Sequence, residues 1–148
     1  MKKIVIANDH AAVGMKFKIK EYLEGKGYEV INLGVDKDEP VDYPDYAYKA
    51  CEKIINKEVD LGVLICGTGI GMSIAANKVK GIRAALCMNS ELAEMSRRHN
   101  DANILCLGAR YIDFEKAKNI IKVFLSTEFE GGRHERRIQE IKDIEENN

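Results

Sequence analysis

The segment Cys66-Gly67-Thr68-Gly69-Ile70-Gly71 gathers the residue types best able to do chemistry in this chain. Glycines at every second position let backbone N–H groups crowd around an anionic oxygen, and a helix starting after them adds its positive end. Cys66 closes an apolar run just ahead of that helix start, where a thiol can ionise and act as nucleophile or base. A free cysteine otherwise serves as a small buried apolar residue, which is the reading for Cys51, Cys87 and Cys106. The spacing matches neither common nucleotide signature. A dinucleotide fingerprint needs glycine where Met72 stands, and no Gly-Lys-Ser/Thr follows to cradle phosphates.

Three further groups invite a role. Asp9 and His10 follow the first apolar run; Asp9 suits either a helix cap or acid–base work, and His10 either a structural or a ligand-binding place. Arg97, Arg98, His99, Asn100 and Asp101 close a helical segment, where the basic side chains already suit the helix dipole. Arg133 and Arg137 stand four apart near the start of the last helical segment, so they share a face that fits a phosphate, and a solvated basic patch is the plain alternative. Arg110, just past the fifth apolar run, could join them.

These groups need a scaffold, and the apolar pattern supplies one. Residues 4–7, 29–33, 61–66, 82–87 and 103–107 are short runs rich in Val, Ile and Leu, as strands buried on both faces require. Amphipathic stretches alternate with them, one entered through Pro44 and one spanning Ile74 to Val79. Five β/α units in one domain, residues 1–148, predict an α/β fold of three layers. The expected core is a five-stranded parallel sheet, flavodoxin- or Rossmann-like, in the order 2-1-3-4-5. Ligands of such sheets bind beyond the carboxyl ends of strands where the winding switches, between the first and third. That places Asp9-His10 opposite Cys66. His99 and Asn100 precede the fifth strand and fall at the amino edge, so any action of theirs would be on a neighbouring subunit's pocket. Ile138, Ile141 and Ile144 form a narrow stripe on the last helix, suited to a surface or a subunit interface.

Composition narrows the class. The 148 residues are 45% hydrophobic and 32% charged, with a net charge of −1, which gives no general case for nucleic acid or an anionic membrane. The cysteines show no CxxC pair, so neither a zinc site nor a disulfide frame is indicated. The opening residues lack the apolar length of a signal peptide, and a cytoplasmic, reduced protein is expected.

Several motifs then coincide: Asp9-His10, Asp42-Tyr43-Pro44, Ile65 to Gly71, Ile74-Ala75-Ala76-Asn77-Lys78, Gly81-Ile82-Arg83-Ala84, Ser96 to Asp101, and Glu130-Gly131-Gly132-Arg133-His134. In this order, nearly end to end, the chain resembles type B ribose-5-phosphate isomerases, the family shared with galactose-6-phosphate and allose-6-phosphate isomerases. The resemblance implies a cofactor-free and metal-free aldose–ketose isomerase acting through a cis-enediolate. It implies that Cys66 is the base, that Thr68 shuttles a hydroxyl proton, and that His99 opens the furanose ring aided by Asp9. By the same resemblance, the N–H groups of Gly67, Gly69, Ile70 and Gly71, with Asn100, hold the enediolate, and His10, Arg110, Arg133 and Arg137 grip the phosphate. Family members are dimers or dimer pairs with shared sites. Some carry a glutamate base further along the loop, but Gly71-Met72-Ser73-Ile74 offers no carboxylate. Two alternatives stay open: a six-carbon sugar phosphate such as allose 6-phosphate, or a non-catalytic binder of a nucleotide or sugar phosphate.

Overall fold

The computed structural model describes residues 2–148, and its strands and helices alternate along the chain. The strands are β1 (Lys3–Asn8), β2 (Glu29–Asn32), β3 (Leu61–Cys66), β4 (Ala84–Leu86) and β5 (Ile104–Gly108). The helices are α1 (Val13–Gly25), α2 (Tyr43–Ile55), α3 (Ile70–Ala76), α4 (Ser90–Arg98), α5 (Phe114–Ser126) and α6 (Arg133–Glu146). A short 3-10 turn, His10–Ala12, leads into α1. All the strand pairings are parallel.

The strand order is β2-β1-β3-β5-β4, which corrects the expected 2-1-3-4-5 at its far end. Burial explains the exchange. β5 is apolar throughout and wholly buried, so it takes the interior place beside β3, while the three-residue β4 is only half buried and takes the edge. The change leaves the crevice between β1 and β3 where the winding rule puts it. α3 also begins at Ile70 rather than near Ile74, so the glycine loop feeds straight into a helix.

Two cores flank the sheet. One joins Ile4, Ile6, Val63 and Leu105 to α1, α4 and α5 through Ile19, Ala93 and Phe124. The other joins Val5, Leu64 and Cys106 to α2 and α3 through Ala47, Cys51 and Met72. Each fully buried Ile or Leu contributes roughly 1.5–3 kcal/mol, so the strand ends are held firmly. Asn89 and Asp113 cap α4 and α5, accepting from the N–H groups of Leu92 and Lys116 at 2.8 Å.

Lys16 is fully buried, an uncommon state for a charged side chain. Its ammonium bonds the Val35 carbonyl at 3.1 Å and the Asp36 carboxylate, which lowers the Asp36 pKa. This clamp fixes the segment after β2 against α1. α6 buries His134 and Ile138, whereas Ile141 and Ile144 of the predicted stripe stay exposed. No helix among the described residues is long and apolar enough to cross a membrane.

Candidate active site

Eight of the predicted residues line one cleft of about 520 Å³ at the carboxyl edge of the sheet: Asp9, His10, Cys66, Gly67, Thr68, Ile70, Gly71 and Arg110. Cys66 ends β3; its register partner is Gly108 at the end of β5, and Asn8 at the end of β1 pairs with Ile65 one residue before it. The Cys66 side chain is 5% exposed, and the Gly69 N–H donates to its sulfur at 3.1 Å. The sulfur thus lies against a backbone donor at the entry to α3. Cys51, Cys87 and Cys106 do not line the cleft. Burial pushes Cys51 up to about 12 and raises Cys87, and Cys106 is driven well above the usual thiol range.

The glycines around Cys66 are where they are because side chains would not fit. Gly69 has φ +82°, and a Cβ there would lie 2.5 Å from Leu86. A Cβ on Gly71 would meet the Tyr43 ring at 2.6 Å, and one on Gly67 would touch the Arg110 guanidinium at 3.1 Å. Arg110 therefore lies against the loop, its own N–H bonded to the Gly67 carbonyl at 3.0 Å.

The loop's N–H groups are apportioned differently from the expected oxyanion cradle. Gly69 N–H faces the sulfur, and Ile70 N–H donates to Thr68 Oγ1 at 3.1 Å. The start of α3 leaves the Gly71 N–H without an intrahelical acceptor and free for a ligand. Asp9 caps the 3-10 turn, accepting from the Ala11 N–H at 3.0 Å, and also lines the cleft. His10 Nδ1 accepts from the Val41 N–H at 3.4 Å, leaving Nε2 as the donor of the neutral ring. Tyr43 also lines the cleft. Its motif was visible in the sequence, but only the packing against Gly71 shows its place.

Of the remaining five predicted residues, Gly69 sits in the loop behind the lining, and His99, Asn100, Arg133 and Arg137 lie away from this cleft. His99 caps the end of α4 before β5, at the opposite edge of the parallel sheet. Six residues of β3 set the two edges about 17 Å apart. Asn100 is exposed and lines a separate hollow with Arg83, Ile141 and Ile144. Arg133 and Arg137 are exposed on the first turns of α6.

His99 has a neighbour that sequence spacing did not reveal. The His134 ring stacks on it, centroids 4.2 Å apart and planes 15° from parallel. Glu130 lies 3.7 Å from His134 Nε2 and is paired with Arg98 at 2.9 Å. Burial, and then the adjacent His99, lower the His134 pKa. His99, Glu130 and His134 each bring one ligand atom within 4.8 Å of the others, a donor set that zinc accepts. However, the lone pairs of nearly parallel rings do not converge on one point, and Arg98 already neutralises Glu130.

Comparison with known proteins agrees with this architecture. The family model described as Ribose/Galactose Isomerase matches residues 4–141. Ribose-5-phosphate isomerase B of Escherichia coli (strain K12) is 45% identical over 146 residues, covering 99% of this chain and 98% of the relative. The solved structure of Clostridium thermocellum ribose-5-phosphate isomerase B superposes with a TM-score of 0.97 at 50% identity, covering 98% of each chain. A ribose 5-phosphate isomerase from Thermotoga maritima gives 0.94 at 56% identity, covering 96% of this chain and 98% of its own. With matches that run almost the full length in sequence and in fold, the chain belongs to the ribose/galactose isomerase family.

Proposed function

We propose that this protein interconverts ribose 5-phosphate and ribulose 5-phosphate, with Cys66 as the base. The observation that carries the reading is the sulfur of Cys66, opening on a cleft and receiving the Gly69 N–H at 3.1 Å. The thiolate takes the C2 proton of the open-chain aldose and returns it to C1, while Thr68 moves the hydroxyl proton between O1 and O2. Charge on the cis-enediolate is met by donors such as the Gly71 N–H. Removing one such donor typically costs about 100–1,000-fold in rate.

Ring opening requires an acid–base group, and His99 supplies it from a second copy of the chain, because the amino edge cannot reach the cleft of its own chain. Asp9 assists at the cleft side. Asn100, Arg133 and Arg137 arrive with His99, and the two arginines join Arg110 and His10 around the phosphate. A homodimer, alone or as half of a pair of dimers, completes the site, and exposed Ile141 and Ile144 suit its interface. The chain needs no cofactor for these steps, since each proton has a residue to carry it.

The test is a coupled assay of the purified protein on ribose 5-phosphate, with and without a chelator. Equal formation of ribulose 5-phosphate under both conditions is expected. No formation, or formation that the chelator abolishes, contradicts the reading.

A further inference from the structure

We propose that His134 is a positioning residue for the ring-opening imidazole of His99, fixing the plane of that ring by face-to-face stacking. The inference deepens the function proposed above and rests on it.

The two rings come from different elements. His99 follows the last residue of α4, and His134 is the second residue of α6. A histidine at a helix end has no regular neighbour to restrain its side chain, and His99 is only half buried. His134, by contrast, is 7% exposed and cannot turn away. Its backbone N–H bonds the Gly131 carbonyl at 3.1 Å. The segment ahead of it is tied to α4 twice, by the Glu130 N–H on the Arg98 carbonyl at 3.0 Å and by the Arg98–Glu130 ion pair. The stacking face offered to His99 is thus held in place from both sides.

His134 has no evident work of its own. Its Nε2 is buried and has no hydrogen-bond partner among the described residues, with Glu130 at 3.7 Å as the nearest acid. A buried polar atom left unpaired is costly, so its persistence asks for a reason. The charged groups facing the ring are Glu130 and Arg98 on one side and Arg133 and Arg137 on its own helix. This setting disfavours charge on His134, so it meets His99 as a flat, buried stacking face. A general acid must present its proton along one line to the ring oxygen, so restraint of the plane acts on the opening step and not on proton transfer at carbon.

Turnover numbers with cyclic ribose 5-phosphate and acyclic ribulose 5-phosphate, measured for wild type, His134→Ala and His134→Phe, test the inference. The two kcat values are compared because equilibrium fixes the ratio of the two kcat/KM values. In His134→Ala, kcat on ribose 5-phosphate should fall about ten-fold or more while kcat on ribulose 5-phosphate stays within about two-fold. His134→Phe, which keeps the flat face and cannot titrate, should recover the ribose 5-phosphate value to within about three-fold. Equal losses on both sugars, no loss, or a loss that Phe does not restore would each overturn the inference. If the alanine variant does not fold, His134→Gln against His134→Phe gives the same contrast. A wild-type protein that turns over neither sugar sinks the function itself; an active wild type with symmetric losses sinks only the role of His134.

Discussion

The two edges of the sheet are built differently although both carry acid–base residues. At the carboxyl edge, Cys66 ends β3, Asp9 and His10 follow β1 at once in a capped turn, and Gly69 and Gly71 of the adjoining loop lie in contacts too close for a Cβ. At the amino edge, His99 ends α4, stacked on His134 beside the Arg98–Glu130 ion pair, while Arg133 and Arg137 stand exposed on the first turns of α6. The first construction is rigid and suits a base that must meet one carbon atom. The second presents its groups outward, as surfaces offered to another molecule do. A parallel sheet keeps the two apart in one chain, so under the proposed function each edge is half of a site.

The strongest way to break this contrast is at the sulfur. Cys66→Ala should lower turnover by about 1,000-fold or more, with inorganic phosphate binding retained by calorimetry, as loss of an acid–base group predicts. Normal turnover in that variant removes the base from the account. His99→Asn should act on one sugar more than the other. Its kcat on ribose 5-phosphate should fall about 100-fold, and the rate should stop rising with enzyme concentration once spontaneous ring opening limits supply. Ribulose 5-phosphate kcat should change far less; equal losses would place His99 elsewhere in the reaction.

Gly71→Ala probes the moulding of the carboxyl edge. The added Cβ displaces Tyr43, and a misplacement of this kind should cost about ten-fold or more in kcat/KM, measured with the same coupled assay. Cys106→Ala is the counterpart of the Cys66 change in the core. It should cost about 1–2 kcal/mol in urea unfolding and leave kcat unaltered. The smallest effect is at the amino edge. The unfolded chain protonates His134 near the usual pH of about 6.5, while the folded chain does so only at lower pH. Stability should therefore be full above that value and fall as the pH drops below it, and His134→Phe should flatten the melting temperature between neutral and mildly acid solution.

Much of this was readable in advance because it depends on local pattern. The continuous apolar runs mark the strands, and Gly67, Gly69 and Gly71 mark a tight strand-to-helix loop with room for crowded N–H groups. What escaped depends on competition or distance. The exchange of β4 and β5 turns on which run is more apolar, a comparison between strands that alternation within each does not make. The direction of the Gly69 and Ile70 N–H groups follows from the exact turn into α3. His134 joins His99 across a gap in sequence that no helical period bridges; ties from Arg97 and Arg98 to the segment before α6 bring them together. The position of His99 at the far edge from Cys66 did follow from strand direction alone.

That separation is the claim on which the assembly of the site depends, and mixing two inactive variants tests it most directly. Cys66→Ala and His99→Asn chains are unfolded together, refolded and assayed on ribose 5-phosphate. Random pairing in a two-fold dimer gives mixed pairs with one intact site each, so about a quarter of wild-type activity should return. A mixture no more active than its parents would contradict the account.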